Sequence, residues 1–276
     1  FLNKHENMQV NNKVWVITGG GSGIGQALAL HLLEKGARVA IVDIQESGMQ
    51  ETHRLAGDKN TQLSTHLLNI TEQEAVQALP QQVIEAHGQI DGLINNAGII
   101  QPFVKVSELD FTAIERVLQV NLYGPLYMIK AFMPYLQGRP EAHLVNISSM
   151  GGFVPVPGQT IYGASTAAIK LLTEGLYSEL QDSPLRVTAV FPGAVATNIS
   201  SNSGVATPSQ EEAQTEEASF RALPASRAAE IIVKGIEKNQ YHMLVGRDAR
   251  FMYLMSRLAP KRAAQLIYQQ MKALLQ

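Results

Sequence analysis

The chain has 276 residues, 45% hydrophobic and 17% charged, with a net charge of −2. A near-neutral balance argues against a nucleic-acid binder. The absence of cysteine excludes a disulfide framework and a thiolate-built metal site.

Residues 1–12 read as an N-terminal extension or an expression remnant, with no legible chemistry. The apolar run Val14-Trp15-Val16-Ile17 reads as a buried parallel strand. Thr18-Gly19-Gly20-Gly21-Ser22-Gly23-Ile24-Gly25 follows it, and apolar residues then recur at helical spacing from Gln26. Strand, glycine turn and helix make a phosphate cradle, because glycine admits close backbone approach and the helix start offers free N–H groups. The glycine spacing does not fit Gly-x-Gly-x-x-Gly. It fits Thr-Gly-x-x-x-Gly-x-Gly.

Residues 38–42 form a second strand, and Asp43 closes it. In a dinucleotide fold an acid here accepts hydrogen bonds from the adenosine ribose and repels a 2′-phosphate. No Lys or Arg lies in the glycine loop or directly after Asp43, which points to NAD rather than NADP. The alternative role for Asp43 is a cap on the next helix, 46–56. Residues 61–70 supply a third strand, and Thr71 with Glu74 reads as a capping box opening a helix to about His87. Leu93-Ile94 leads into Asn95-Asn96-Ala97-Gly98. A long helix is expected over 110–136, kinked at Pro125. A fifth strand runs into Ser148-Ser149. Beyond it lies the apolar loop Gly151-Gly152-Phe153-Val154-Pro155-Val156-Pro157, a candidate pocket wall. Tyr162 opens a helix to about Gln181, and a sixth strand over 186–191 ends in Pro192-Gly193. Residues 198–222, with Glu211, Glu212, Glu216 and Glu217, read as a solvated loop or a lid. A helix over 225–239 and a last strand over 242–245 complete the alternation.

From Arg247 onward the tail carries +5, leaving −7 on the rest. Phe251, Leu254, Met255 and Leu258 form one apolar stripe, and Leu266, Ile267, Met271, Leu274 and Leu275 form another beyond Pro260. The tail either packs on protein or lies on an anionic membrane surface. No apolar run reaches the roughly 18 residues of a spanning helix. The seven histidines show no metal-ligand spacing, so no metal is expected. A cytoplasmic location is the default.

Strand and helix alternate, so the expected fold is α/β: a doubly wound, Rossmann-type parallel sheet of about seven strands with helices on both faces. The expected division is 1–12 extension, 13–246 dinucleotide-binding and catalytic domain, and 247–276 basic amphipathic helical tail.

The motif at Thr18, Gly19, Gly23 and Gly25 resembles the short-chain dehydrogenase/reductase family. Asn95-Asn96-Ala97-Gly98 matches its second signature, and the thirteen-residue interval from Ser149 to Tyr162 matches its catalytic pair. The resemblance covers roughly 13–246 and implies hydride transfer between a nicotinamide cofactor and a secondary alcohol/ketone substrate. It assigns Tyr162 as acid/base, Ser149 to the substrate oxygen, and Asn121 to a proton relay through its backbone carbonyl. It assigns the cofactor to Thr18, Gly19, Gly21, Ser22, Gly23, Ile24, Gly25, Asp43, Asn69, Ile70, Asn95, Ala97, Gly98, Pro192, Gly193, Val195 and Thr197. Asn69 stands where the family more often has Asp. With the low charge, it also implies a homo-oligomer, most simply a tetramer, built on the helices holding Asn121 and Tyr162.

One departure is large. The family pattern is Tyr-x-x-x-Lys, and Thr166 occupies the lysine position. The two functional readings are therefore an impaired NAD-dependent oxidoreductase and a catalytically weak NAD-binding sensor or scaffold.

Overall fold

Trp15 and Ile17 bury on one side of a sheet, while Val14 and Val16 bury on the other. A strand that is apolar at every position does this when both faces are covered. In the computed structural model, which describes residues 7–205 and 222–275, β1 is Val14–Thr18, followed by α1, Gly23–Glu34. Next come β2 (Arg38–Asp43), α2 (Glu46–Leu55), β3 (Leu63–Leu67), α3 (Gln73–His87) and β4 (Gly92–Asn95). The middle of the chain holds α4 (Phe111–Leu118), α5 (Gly124–Gln137), β5 (Ala142–Ile147), α6 (Thr160–Glu179) and β6 (Leu185–Pro192). Short elements β7 (Val195–Ala196), α7 (Ile199–Ser203) and β8 (Leu223–Pro224) follow. Then come α8 (Ala225–Glu237), β9 (His242–Val245), α9 (Arg247–Leu258) and α10 (Pro260–Met271).

Seven strands make one sheet in the order β3-β2-β1-β4-β5-β6-β9, every pair parallel. The direction of winding reverses between β1 and β4, and such a switch point opens a crevice at the carboxyl ends of the strands. One core packs Leu28 and Leu32 of α1 with Ile232 and Ile236 of α8. The other packs Val76, Leu79 and Val83 of α3 with Phe132 and Leu136 of α5. Met8 and Val10 are buried in the first core, so the segment read as an extension is docked from Met8 onward. Among the described residues no helix is long and apolar enough to cross a membrane.

Four local expectations are corrected. The helix over 110–136 is two helices joined by a π turn, Gln119–Tyr123. Pro125 does not break it, because it falls in the first turn of α5, where a missing N–H leaves nothing unpaired. The third strand is shorter than 61–70, because a 3₁₀ segment, Gly57–Gln62, takes up its start. The capping box is replaced by an Asx turn: Asn69 Oδ1 accepts from Thr71 N at 3.1 Å and Thr71 Oγ1 at 2.9 Å. That turn leaves Glu72 as the N-cap of α3.

The fourth concerns the tail stripe. Met252 of α9 and Ala263 and Ile267 of α10 bury against Val154, with Phe153, Val156 and Met255 packed around them. Phe251, Leu254 and Leu258 stay exposed, Leu258 by 77%. The apolar band is wider than the contact, and the loop after β5 meets only its Met252 side. The acidic segment with Glu211, Glu212, Glu216 and Glu217 lies outside the described residues.

Candidate active site

The glycine loop takes its shape from backbone conformations that L side chains rarely adopt: Gly19 has φ +68° and Gly23 φ +55°. A Cβ on Gly25 would collide with Gly19 O, so the first turn of α1 lies directly under the loop. Thr18 Oγ1 accepts from Asn96 N at 3.0 Å and Ala97 N at 3.1 Å. Asn96 Nδ2 returns a bond to Thr18 O at 3.0 Å. The two signature segments thus hold each other across the switch point.

A cleft of about 610 Å³ runs along the carboxyl ends of the strands. That volume lies within the range of ligand clefts, about 300–1,000 Å³. Gly19, Ser22, Gly23, Ile24, Asp43, Asn69, Ile70, Asn95, Ala97 and Gly98 line it, together with Pro192, Gly193, Val195 and Thr197. So do Asn121, Ser149, Tyr162 and Thr166. Thr18, Gly21 and Gly25 do not line it; they shape the loop from behind. Gly21 N donates to Asp43 Oδ2 at 2.9 Å. Gln45 N donates to Asp43 Oδ1 at 3.0 Å. Asp43 therefore faces the cleft and also turns the chain into α2, the two roles left open by the sequence. The left-handed Gly19 and Gly23 and the crowded Gly25, at the start of α1, fit a pyrophosphate.

At the far end Ser149 caps a short turn, accepting from Gly151 N at 3.0 Å. Ser149 also lies close enough to the Tyr162 hydroxyl to influence its titration. Burial pushes the Tyr162 hydroxyl above the usual phenol range, and Ser149 pulls the other way. Ser148 Oγ is committed elsewhere, donating to Thr166 O at 2.8 Å. That contact separates the two neighbouring serines. Thr166 Oγ1 folds back onto its own helix, toward Tyr162 O at 3.1 Å and Gly163 O at 3.0 Å. Lys170 pairs with Glu174 at 2.7 Å. Asp43 and Arg116 are the charged side chains among the described residues lining the cleft.

Asn121 sits in the π turn, a distortion that is frequent at functional sites. Its Oδ1 accepts from Ile99 N at 2.9 Å, and its Nδ2 donates to Ile99 O at 2.8 Å and Ser165 Oγ at 3.1 Å. Asn95 Nδ2 donates to Asn146 Oδ1 at 2.8 Å, so that side chain mainly ties β4 to β5.

Three contributors escape a sequence reading. Gln101 Oε1 accepts from Ile161 N at 2.8 Å and Tyr162 N at 3.1 Å. It caps α6, the helix of Tyr162, from 60 residues away, while the N-cap residue Gln159 makes no side-chain cap bond. Asn202 Nδ2 donates to Ser22 Oγ at 2.9 Å, and Ile100 N donates to Ser203 Oγ at 3.0 Å. Helix α7 thereby spans the cleft from the glycine loop to the segment after Gly98.

The family model described as short chain dehydrogenase matches residues 13–207. The chain is 37% identical over 250 residues to "Putative oxidoreductase SadH" of Mycobacterium tuberculosis, covering 89% of this chain and 90% of that one. Its fold superposes on a short chain dehydrogenase/reductase from Burkholderia phymatum in complex with NAD, with a TM-score of 0.79 and 26% identity over 91% and 96% of the two chains. A short chain dehydrogenase from Burkholderia cenocepacia in complex with NADP gives a TM-score of 0.77 at 25% identity over 96% and 99%. Sheet order, glycine turn and a matching family model over most of its length agree: this chain belongs to the short-chain dehydrogenase/reductase family of oxidoreductases.

Proposed function

We propose that the protein interconverts a neutral, apolar secondary alcohol and its ketone, with NAD(H) as hydride carrier. The observation that carries this reading is that Ser149 and Tyr162 come together in the lining of one cleft, which also presents the Asp43 carboxylate. When bound, the nicotinamide supplies or accepts the hydride. Tyr162 holds the proton that moves to or from the substrate oxygen, and Ser149 orients that oxygen. A proton relay through the Asn121 backbone carbonyl is supported by the π turn there and by the Asn121 side-chain bond to Ser165 on the Tyr162 helix.

Substrate polarity follows from the lining. The cleft lining includes Ile100, Ile147, Ile169 and Ile199, and Asp43 and Arg116 are the charged side chains among its described residues. Apolar walls of this kind favour a neutral substrate, since an ionised group loses hydration against them. NAD is favoured because a 2′-phosphate would meet the Asp43 carboxylate, and Arg116 reaches the cleft from α4 rather than from the segment after β2.

Thr166 supports a second reading, a protein that binds NAD and turns over weakly. Its hydroxyl is spent on the helix backbone, and burial disfavours the tyrosinate. Calorimetry with both cofactors and turnover of a panel of neutral and acidic secondary alcohols test the reading. NAD(H) is expected to bind at least about tenfold more tightly than NADP(H), a difference of about 1.4 kcal/mol. Equal affinities, or preferential turnover of acidic alcohols, would overturn it.

A further inference from the structure

Asp248 lies on the first turn of α9, in the segment read from sequence as a separate tail. Its Oδ2 accepts from Ala194 N at 2.6 Å. A Cβ on Gly193 would collide with this carboxylate, and so would one on Gly246. Gly246 has φ +111°, so that position is closed to other residues on conformational grounds as well. Two glycines, 53 residues apart, therefore make room for one acid.

The loop so gripped is part of the cleft. Pro192, Gly193, Ala194, Val195 and Thr197 all line it. Gly193 N donates to Val245 O at 2.9 Å, and Ala194 O accepts from Leu223 N at 2.8 Å. Both sides of the Ala194 peptide are thus held, the N–H by a charged acceptor. Strand order locates the loop along the cofactor. Asp43 ends β2, on one side of the switch point, while β5 and β6 lie on the other. The ribose-binding acid and this loop stand at opposite ends, and the loop shares its end with Ser149 and Tyr162.

We propose that Asp248 is a positioning residue for the nicotinamide end of the cleft, which makes α9 part of the cofactor-binding machinery. The proposal rests on the reading of the cleft as a dinucleotide site. A hydrogen bond to a charged group is worth more than a neutral one, so its loss should loosen the loop without touching the adenosine end.

The test compares NADH with ADP-ribose, which carries the adenosine and pyrophosphate but no nicotinamide. Affinities are measured by calorimetry on the full chain, with thermal melts to establish folding. Asp248→Ala should weaken NADH about tenfold and leave ADP-ribose within about twofold, the order expected for one charge-assisted bond. Asp248→Asn keeps an acceptor oxygen and should hold NADH within about threefold. Gly193→Ala, which evicts the carboxylate, should reproduce the selective loss and add little in the Asp248→Ala background. Unchanged NADH affinity in Asp248→Ala, equal weakening of both ligands, or full additivity of the two substitutions would each overturn the assignment. If the unsubstituted protein binds neither ligand, the dinucleotide reading itself fails and the proposal falls with it. ADP-ribose bound normally beside a wrong response in NADH sinks the proposal alone.

Discussion

Tyr162 and Thr166 stand one helical turn apart, so a lysine at 166 would lie beside the phenol on the same face. Thr166 lines the cleft, which gives a longer side chain room to extend. At about 4 Å and an effective dielectric near 20, an ammonium would attract tyrosinate by roughly 4 kcal/mol before desolvation losses. Half of that exceeds about one pKa unit. Oxidation needs the deprotonated phenol, and burial raises its pKa, so activity of the unsubstituted protein should climb with pH into the alkaline range. Thr166→Lys should raise kcat/KM at neutral pH about a hundredfold, close to 2.7 kcal/mol, and move the pH profile downward. Brisk turnover at pH 7 without any gain from lysine would show that another group activates Tyr162. The absence of the lysine was legible from the Tyr-x-x-x-Lys spacing. The backward fold of the Thr166 hydroxyl was not, because a threonine in a helix can bond its own backbone or reach outward with equal sequence signal.

At the scale of elements, α6 begins without a capping residue of its own. Gln101 supplies the acceptor for its second and third N–H groups. Gln101 is 1% exposed, so water cannot take over that task. Gln101→Leu should leave two part-buried donors without their partner and cost about 1–3 kcal/mol in urea unfolding. It should also lower kcat more than KM for the alcohol, since Tyr162 N is one of the freed groups. A variant with unchanged stability would refute the capping role. The tail shows a different limit. Its apolar positions were legible from helical spacing, yet the face that packs is set by where the loop 153–156 meets it.

At the scale of the molecule, His143 on β5 is completely buried, its Nε2 2.7 Å from Thr188 Oγ1. Thr188 Oγ1 donates to Gln240 O at 2.6 Å, so it accepts from His143 and assigns the proton to Nε2. Burial holds the His143 pKa down to about 3, while an unfolded histidine titrates near about 6.5. The unfolded state therefore binds more protons between those values. Stability should fall as pH drops from about 6.5 toward 3, by about 1.4 kcal/mol per unit from this group. His66, His87 and His242 are shifted the same way by burial and reinforce the loss. Urea midpoints at pH 5 and 7 check it, and a flat profile would contradict it.

Assembly also belongs to this scale. Phe111 and Tyr135 on α4 and α5, Tyr123 in the π turn and Leu171 on α6 are exposed, which supports a homo-oligomer through those helices. Light scattering at micromolar concentration should show a tetramer, and a monomer would refute it. Phe251, Leu254 and Leu258 are exposed on one side of α9, among Arg247, Arg250 and Arg257. Anionic vesicles should then bind the protein at low salt, while neutral vesicles should not.

The sequence by itself determined what is encoded locally. A strand apolar at every position, a glycine turn and a periodic helix can be read within one stretch, because each depends on neighbours a few residues apart. Ser149 and Tyr162 could be singled out as the candidate pair through the interval between them that the family resemblance picks out. Only the tertiary structure decided which groups hold that machinery in place. Gln101 caps a helix 60 residues downstream, Asp248 grips a loop 54 residues upstream, and Asn121 enters a π turn that pairs it with Ile99 and Ser165. These bonds join residues that chain proximity leaves independent, and each becomes possible only when the sheet brings its strand ends together.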